Sequence, residues 1–145
     1  MSLRAKAWSD NREYDVLAVG ELNVDLVLSG VPRVPEFGEE VLAEDIVQRP
    51  GRPTANFAVF CARLGLKVAF VTRVGADDFG DSLLRELEQR VVSSEYVMRD
   101  PELRTGLTVA ISGAQDRAFV TYVGTIDSLR AEDVADELIC RTRHM

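Results

Sequence analysis

Apolar and polar positions along this chain fall into alternating strand and helix patterns, most clearly between Gly51 and Gly75. From Ala55 to Leu64 every residue is apolar or small except Asn56 and Arg63, which predicts a helix buried on most sides. Gly51 and Pro53 punctuate its start and Gly65 its end. Val68 to Val71 then forms a short apolar run, the pattern of a strand covered on both faces of a parallel sheet.

The same reading extends to both ends. Residues 1–13 are polar and mixed in charge around Trp8 and read as a flexible tail. Order is expected from Tyr14 or Asp15, where VLAVG makes a continuous apolar strand. After Gly20 the pattern becomes alternating: Glu21, Asn23 and Asp25 point one way, Leu22, Val24 and Leu26 the other. Residues 31–50 carry prolines at their ends and a strand-like middle from Glu39 to Val47, which suggests a flap off the main sheet.

An amphipathic helix follows Gly75. Asp77 or Asp78 can cap it, and Leu83, Leu84, Leu87 and Val91 form its stripe. Residues 93–104 read as a polar connector. Thr105 to Ile111 and Arg117 to Val123 are two strands of a hairpin. A last helix is expected from Ser128, its N-cap, to about Arg141, with Leu129, Val134, Leu138 and Ile139 on one side and Arg141 and Arg143 complementing its C-terminal dipole. The chain stops where a strand is expected to start.

Composition narrows the partners. The 145 residues are 46% hydrophobic and 28% charged, within the range of one globular unit. A net charge of −7 argues against a surface for nucleic acid or anionic membrane and favours a small-molecule ligand. There is no apolar run of about 18 residues and no leader pattern, so a cytoplasmic protein is expected. Cys61 and Cys140 lack metal-ligand spacing and read as plain thiols. His144, the one histidine, is expected to be exposed and without a catalytic role.

The candidate chemistry lies at two places. Asn23 and Asp25 project just past the C-terminal end of a strand, where open α/β sheets place ligands. A carboxylate and an amide two residues apart can hydrogen-bond neighbouring hydroxyls of a polyol, or can simply edge a solvated strand. Asn56, in the first turn of the central helix, either caps that helix or faces a polar ligand together with the amides near Gly51, where the helix dipole is positive.

GELNVD, the Gly51 to Gly75 stretch, and the Gly-x-Asp-x-x-Gly block at residues 75–80 together resemble the ribokinase-like (PfkB) carbohydrate kinases over nearly all of residues 14–145. Asn56, Ala58, Gly65 and Gly75 fall in register with that family. The second glycine of its motif does not, because Arg52 stands there. The resemblance implies an α/β, Rossmann-type three-layer fold with a small β-sheet lid, residues 14–145 being its N-terminal part and about 31–50 and 105–124 its lid segments. It also implies ATP-dependent phosphorylation of a sugar hydroxyl, with Asn23, Asp25, Gly51, Arg52, Asn56, Thr108 and Ala110 at the substrate.

In that family the base and the Gly-rich anion hole follow in a C-terminal half, so no catalytic residue is expected here. ATP and Mg2+ are expected for the complete enzyme and not for this chain alone, which is expected to be inactive. Lid strands of the family often pair between subunits, so a homodimer through the lid and simple packing within one chain both remain open. A non-catalytic sugar-binding or assembly module and a nucleoside kinase of the same family remain open. At Arg52 three readings compete: contact with an acidic substrate, a side chain turned to solvent, or a site that has lost its ligand.

Overall fold

A computed structural model describes residues 12–145. The expected tail falls almost wholly outside the described residues; of it, Arg12 and Glu13 are seen, and Glu13 pairs with Arg141.

Among the described residues, eight strands form two sheets and three α-helices accompany them. β1 (Tyr14–Val19), β4 (Val68–Gly75), β5 (Val97–Asp100) and β8 (Thr142–His144) form a parallel sheet in the order β5-β4-β1-β8. β2 (Asn23–Ser29), β3 (Asp45–Gly51), β6 (Leu107–Ser112) and β7 (Arg117–Tyr122) form a second, mixed sheet in the order β3-β2-β6-β7. β1 and β4 are apolar on both sides because both faces are covered. Val16, Ala18, Val68 and Phe70 pack with Ala58 and Val59 of α1 (Pro53–Arg63) and with Leu83 and Leu87 of α2 (Asp78–Gln89). Leu17, Ala69 and Val71 pack on the other side with Leu138 of α3 (Asp136–Cys140). The result is three layers, with the second sheet alongside.

Both long helices end in the same hydrogen-bonded turn. At α1 the N–H of Leu66 meets the carbonyl of Cys61 and that of Gly65 meets Ala62, with Gly65 at φ 85°. At α2 the N–H of Val92 meets Leu87 and that of Val91 meets Glu88, but the left-handed position, φ 63°, is held by a β-branched valine.

Several expectations need correction. α1 is not buried on most sides: Phe57 is 51% and Phe60 62% exposed, because no layer covers its outer face. The α2 stripe ends on Val92, 1% exposed, while Val91 is turned out at 82% by the left-handed turn. The polar connector contains β5, which pairs in parallel with β4. The flap strand lies later than expected, at Asp45–Gly51. It holds Pro50 because it is an edge strand, where a missing N–H is tolerated.

The expected long last helix is broken into 3-10 turns at Gly124–Asp127 and Ala131–Asp133 and the short α3. Asp133 accepts from the backbone N–H of Arg130 and from Arg73, and Val134 is extended, so the chain cannot continue as one helix there. Arg141 is the C-cap of the short α3, and Arg141 and Arg143 pair with Glu13 and Asp15. A strand, β8, does begin at the end of the chain and runs parallel to β1. No helix among the described residues is long and apolar enough to cross a membrane.

Candidate functional site

Pairing in the second sheet gathers the polar residues of distant segments. Asn23 is opposite Gly51, and Asp25 lies between Arg49 on β3 and Thr108 on β6. Thr108 is opposite Thr121 on β7. Directly opposed residues rise from one face of a sheet, so Arg49, Asp25, Thr108 and Thr121 form a row across it. Ala110, two residues beyond Thr108, shares that face and is buried.

Asn23 is the centre of the group. Its side chain is completely buried, and Nδ2 donates to Thr108 Oγ1 at 3.1 Å and to Asp25 Oδ1 at 3.2 Å. Thr108 Oγ1 in turn shares a hydrogen bond of 3.1 Å with Thr121 Oγ1. Asn23 Oδ1 is buried without a partner. Leaving such an acceptor unmet costs about 1–3 kcal/mol, so its retention is an observation to explain.

Gly51 closes the group by the lack of a side chain. A Cβ at that position would overlap the side-chain oxygens of both Asn23 and Asp25. The backbone of β3 therefore approaches these two side chains as only glycine permits.

Arg52 follows at the N-cap of α1, with φ 80° and ψ 145°. Such a backbone suits glycine, and a larger residue there costs on the order of 1–3 kcal/mol. The guanidinium Nε lies 3.3 Å from Glu21 Oε2. That contact is an ion pair without hydrogen-bond geometry, since Nε has no hydrogen-bond partner.

Asn56 does not cap its helix, which leaves its side chain available to a polar ligand. The cap of α1 is Arg52, no side chain caps the helix, and Asn56 sits a full turn in, exposed and without a side-chain hydrogen bond among the described residues. The structure thus brings together Asn23, Asp25, Gly51, Thr108 and Ala110 and sets Arg52 beside them, while Asn56 lies exposed in the second turn of α1. Arg49 and Thr121 join the row without having been singled out in the sequence. Arg49 alternates with Gly51, which was a signal for a shared face had the strand been placed late enough.

Asp77 is structural. Its carboxylate accepts from the N–H of Gly80 at 2.8 Å and from both the N–H and the hydroxyl of Thr105, at 2.8 and 2.6 Å. Burial works to raise its pKa, but these hydrogen bonds outweigh it and hold the group below the usual aspartate value.

A triphosphate needs convergent backbone donors or cations. A cavity of about 650 Å³ offers mainly Leu17, Val19, Pro53, Phe57, Val134 and Ile139, and none of the polar group above. It lies along β1 where β8, paired only as far as Val16, stops covering the strand. No lysine or arginine lines this cavity to meet a triphosphate.

The model of pfkB family carbohydrate kinases matches residues 14–142. The chain belongs to that family. Within the pfkB family, ribokinase of Mus musculus is 30% identical over 143 residues, covering 97% of this chain and 44% of that protein. Among solved structures, a PfkB protein from Polaromonas sp. JS666 has a TM-score of 0.77 at 26% identity, covering 90% of this chain and 43% of that one. Arabidopsis thaliana ribokinase, complexed with ribose and ATP, has a TM-score of 0.70 at 25% identity, covering 77% and 36%. This pfkB-family chain therefore spans less than half the length of each of these relatives.

Proposed function

We infer that this chain is the sugar-holding part of an ATP-dependent kinase that phosphorylates a sugar hydroxyl. The observation that carries the reading is the convergence of Asn23, Asp25 and Thr108 on one sheet face against the bare backbone of Gly51. A carboxylate accepts hydroxyl protons, and the unmet Oδ1 of Asn23 awaits a donor. The second sheet, built mostly from segments 31–50 and 105–124, acts as the lid over that ligand. Family membership supports a sugar as the ligand, and the ribose in the Arabidopsis relative agrees.

Phosphoryl transfer needs charge-stabilising groups around the moving phosphoryl group and a residue that orients the attacking oxygen. Among the described residues these are not assembled, and the relatives are more than twice as long. The chain alone binds sugar without turning it over, and ATP and Mg2+ belong to a complete kinase. Its partners are a small sugar and, through the exposed apolar edges of the lid, a second copy of itself; its setting is the cytoplasm. A coupled ADP-release assay with ribose and fructose tests this. No turnover is expected, whereas turnover abolished by Asp25→Ala contradicts the inactivity. Labelled ribose or fructose retained in equilibrium dialysis, and lost in Asp25→Ala, is the expected sign of the sugar site; retention unaffected by that change rejects it.

That no set of groups for phosphoryl transfer is assembled among the described residues favours a second reading, a sugar-binding module that performs no catalysis. The gene sequence following the codon for Met145 separates the two: a continuing reading frame with a Gly-Ala-Gly-Asp block supports the kinase, a stop codon the module.

A further inference from the structure

Two guanidinium groups flank the Asn23, Asp25 and Thr108 cluster, and neither is hydrogen-bonded. Arg49 stands directly opposite Asp25 in the β2/β3 ladder, so it rises from the same face. It is exposed and has no ion pair or hydrogen bond among the described residues. Arg52 comes one residue after Gly51, with its side chain 33% exposed. Its one polar contact among the described residues is the Nε approach to Glu21, which leaves the two Nη atoms without a partner there.

The position of Arg52 is also costly to keep. A backbone at φ 80° disfavours every L side chain, and strained residues of this kind concentrate where a ligand is held. Glu21 lies two residues before Asn23, so its contact anchors the guanidinium at the rim of the polar cluster. It does so through one edge only.

We propose that Arg49 and Arg52 form an oxyanion subsite at the β3 to α1 corner, so that the ligand is a sugar bearing a carboxylate or phosphate. This rests on the reading of Asn23 and Asp25 as the sugar-hydroxyl site. The planar fork of Arg52 presents two parallel N–H donors to such a group, which a lysine ammonium cannot reproduce. Glu21 is the positioning residue that fixes the fork, and Arg49 supplies a second cation from the neighbouring strand position. Arg49 also lies on an edge strand, where charge discourages unwanted strand pairing, but that role confers no ligand selectivity.

Calorimetry on the 145-residue chain with fructose, gluconate and fructose 6-phosphate as probes tests the proposal. One of the two anionic probes is expected to bind at least about tenfold more tightly than fructose, a margin of about 1.4 kcal/mol. Which one it is distinguishes carboxylate from phosphate. The margin is expected to vanish in Arg52→Gly and in the Arg49→Ala/Arg52→Gly double variant and not to return in Arg52→Lys, with fructose affinity unchanged. Arg52→Gly relieves the backbone, so a loss of binding in it is not a loss of folding, and thermal melts verify this. Equal affinities for all three probes, or a margin that survives the double variant, overturn the subsite. If fructose binds in an Asp25-dependent way with no anionic preference, the subsite alone is rejected; if none of the three binds, the sugar-site reading falls with it.

Discussion

Asn23 and Thr108, 85 residues apart in the chain, are joined by a 3.1 Å hydrogen bond from Nδ2 to Oγ1. The bond ties the strand that leaves the main sheet to the strand that returns much later, and it fixes the amide so that Oδ1 faces the Gly51 backbone. Thr108→Val keeps the volume and removes the acceptor. Stability is expected to fall by about 1 kcal/mol, read as a lower urea midpoint with an unchanged slope. An unchanged midpoint would mean that the bond is not maintained in solution.

Val91 closes α2 in a left-handed conformation that β-branched residues resist. Its side chain is largely exposed, so little packing is lost on removing it. Val91→Gly is expected to stabilise the chain by about 1 kcal/mol, raising the melting temperature by several degrees. A fall in that temperature contradicts the assigned turn.

The acid limb of stability is expected to depend on Asp77. Its pKa is held low in the folded chain, mainly by the Thr105 and Gly80 hydrogen bonds that outweigh burial. The contribution is therefore present above the unfolded aspartate value, about 3.9, and is lost as pH falls through the lower folded value. Urea titrations from pH 7 to 2 should show a shallower acid loss in Asp77→Asn than in the parent, from a lower starting stability. Parallel curves for the two proteins contradict this.

The second sheet presents two edges, β3 and β7. β7 exposes Phe119, Val120 and Tyr122, each more than half accessible. An exposed apolar edge invites pairing, and a lysine on it discourages pairing. Sedimentation is expected to show concentration-dependent self-association that Val120→Lys reduces. A monodisperse monomer in both proteins contradicts the lid-mediated dimer.

The elements that read clearly in the sequence were those whose own pattern decides them. β1, β4, α1 and α2 have apolar runs or stripes long enough that tertiary context only confirms them. β5 was hidden because its apolar run, Val97 and Met98, is short and followed by charge. The last helix failed because Asp133 is drawn to Arg73, a contact 60 residues away that no local pattern carries. At the candidate site, Asn23 and Asp25 were legible from alternation, whereas Arg49 and Thr121 depend on strand register, which alternation alone does not set. The burial of Asn56 was overestimated because its apolar neighbours suggested a buried helix start, while the open outer face of α1 leaves its side chain exposed.

The central claim is that Asn23, Asp25, Gly51 and Thr108 together hold a sugar. A nitrogen–proton correlation spectrum of the labelled chain, titrated with ribose and with fructose, tests it directly. The account predicts saturable shifts at the Asn23 side-chain amide and at the backbone amides of Asp25, Gly51 and Thr108, absent in the folded Asp25→Ala variant. Shifts confined to other residues, or none at concentrations where sugars bind weakly, would contradict it.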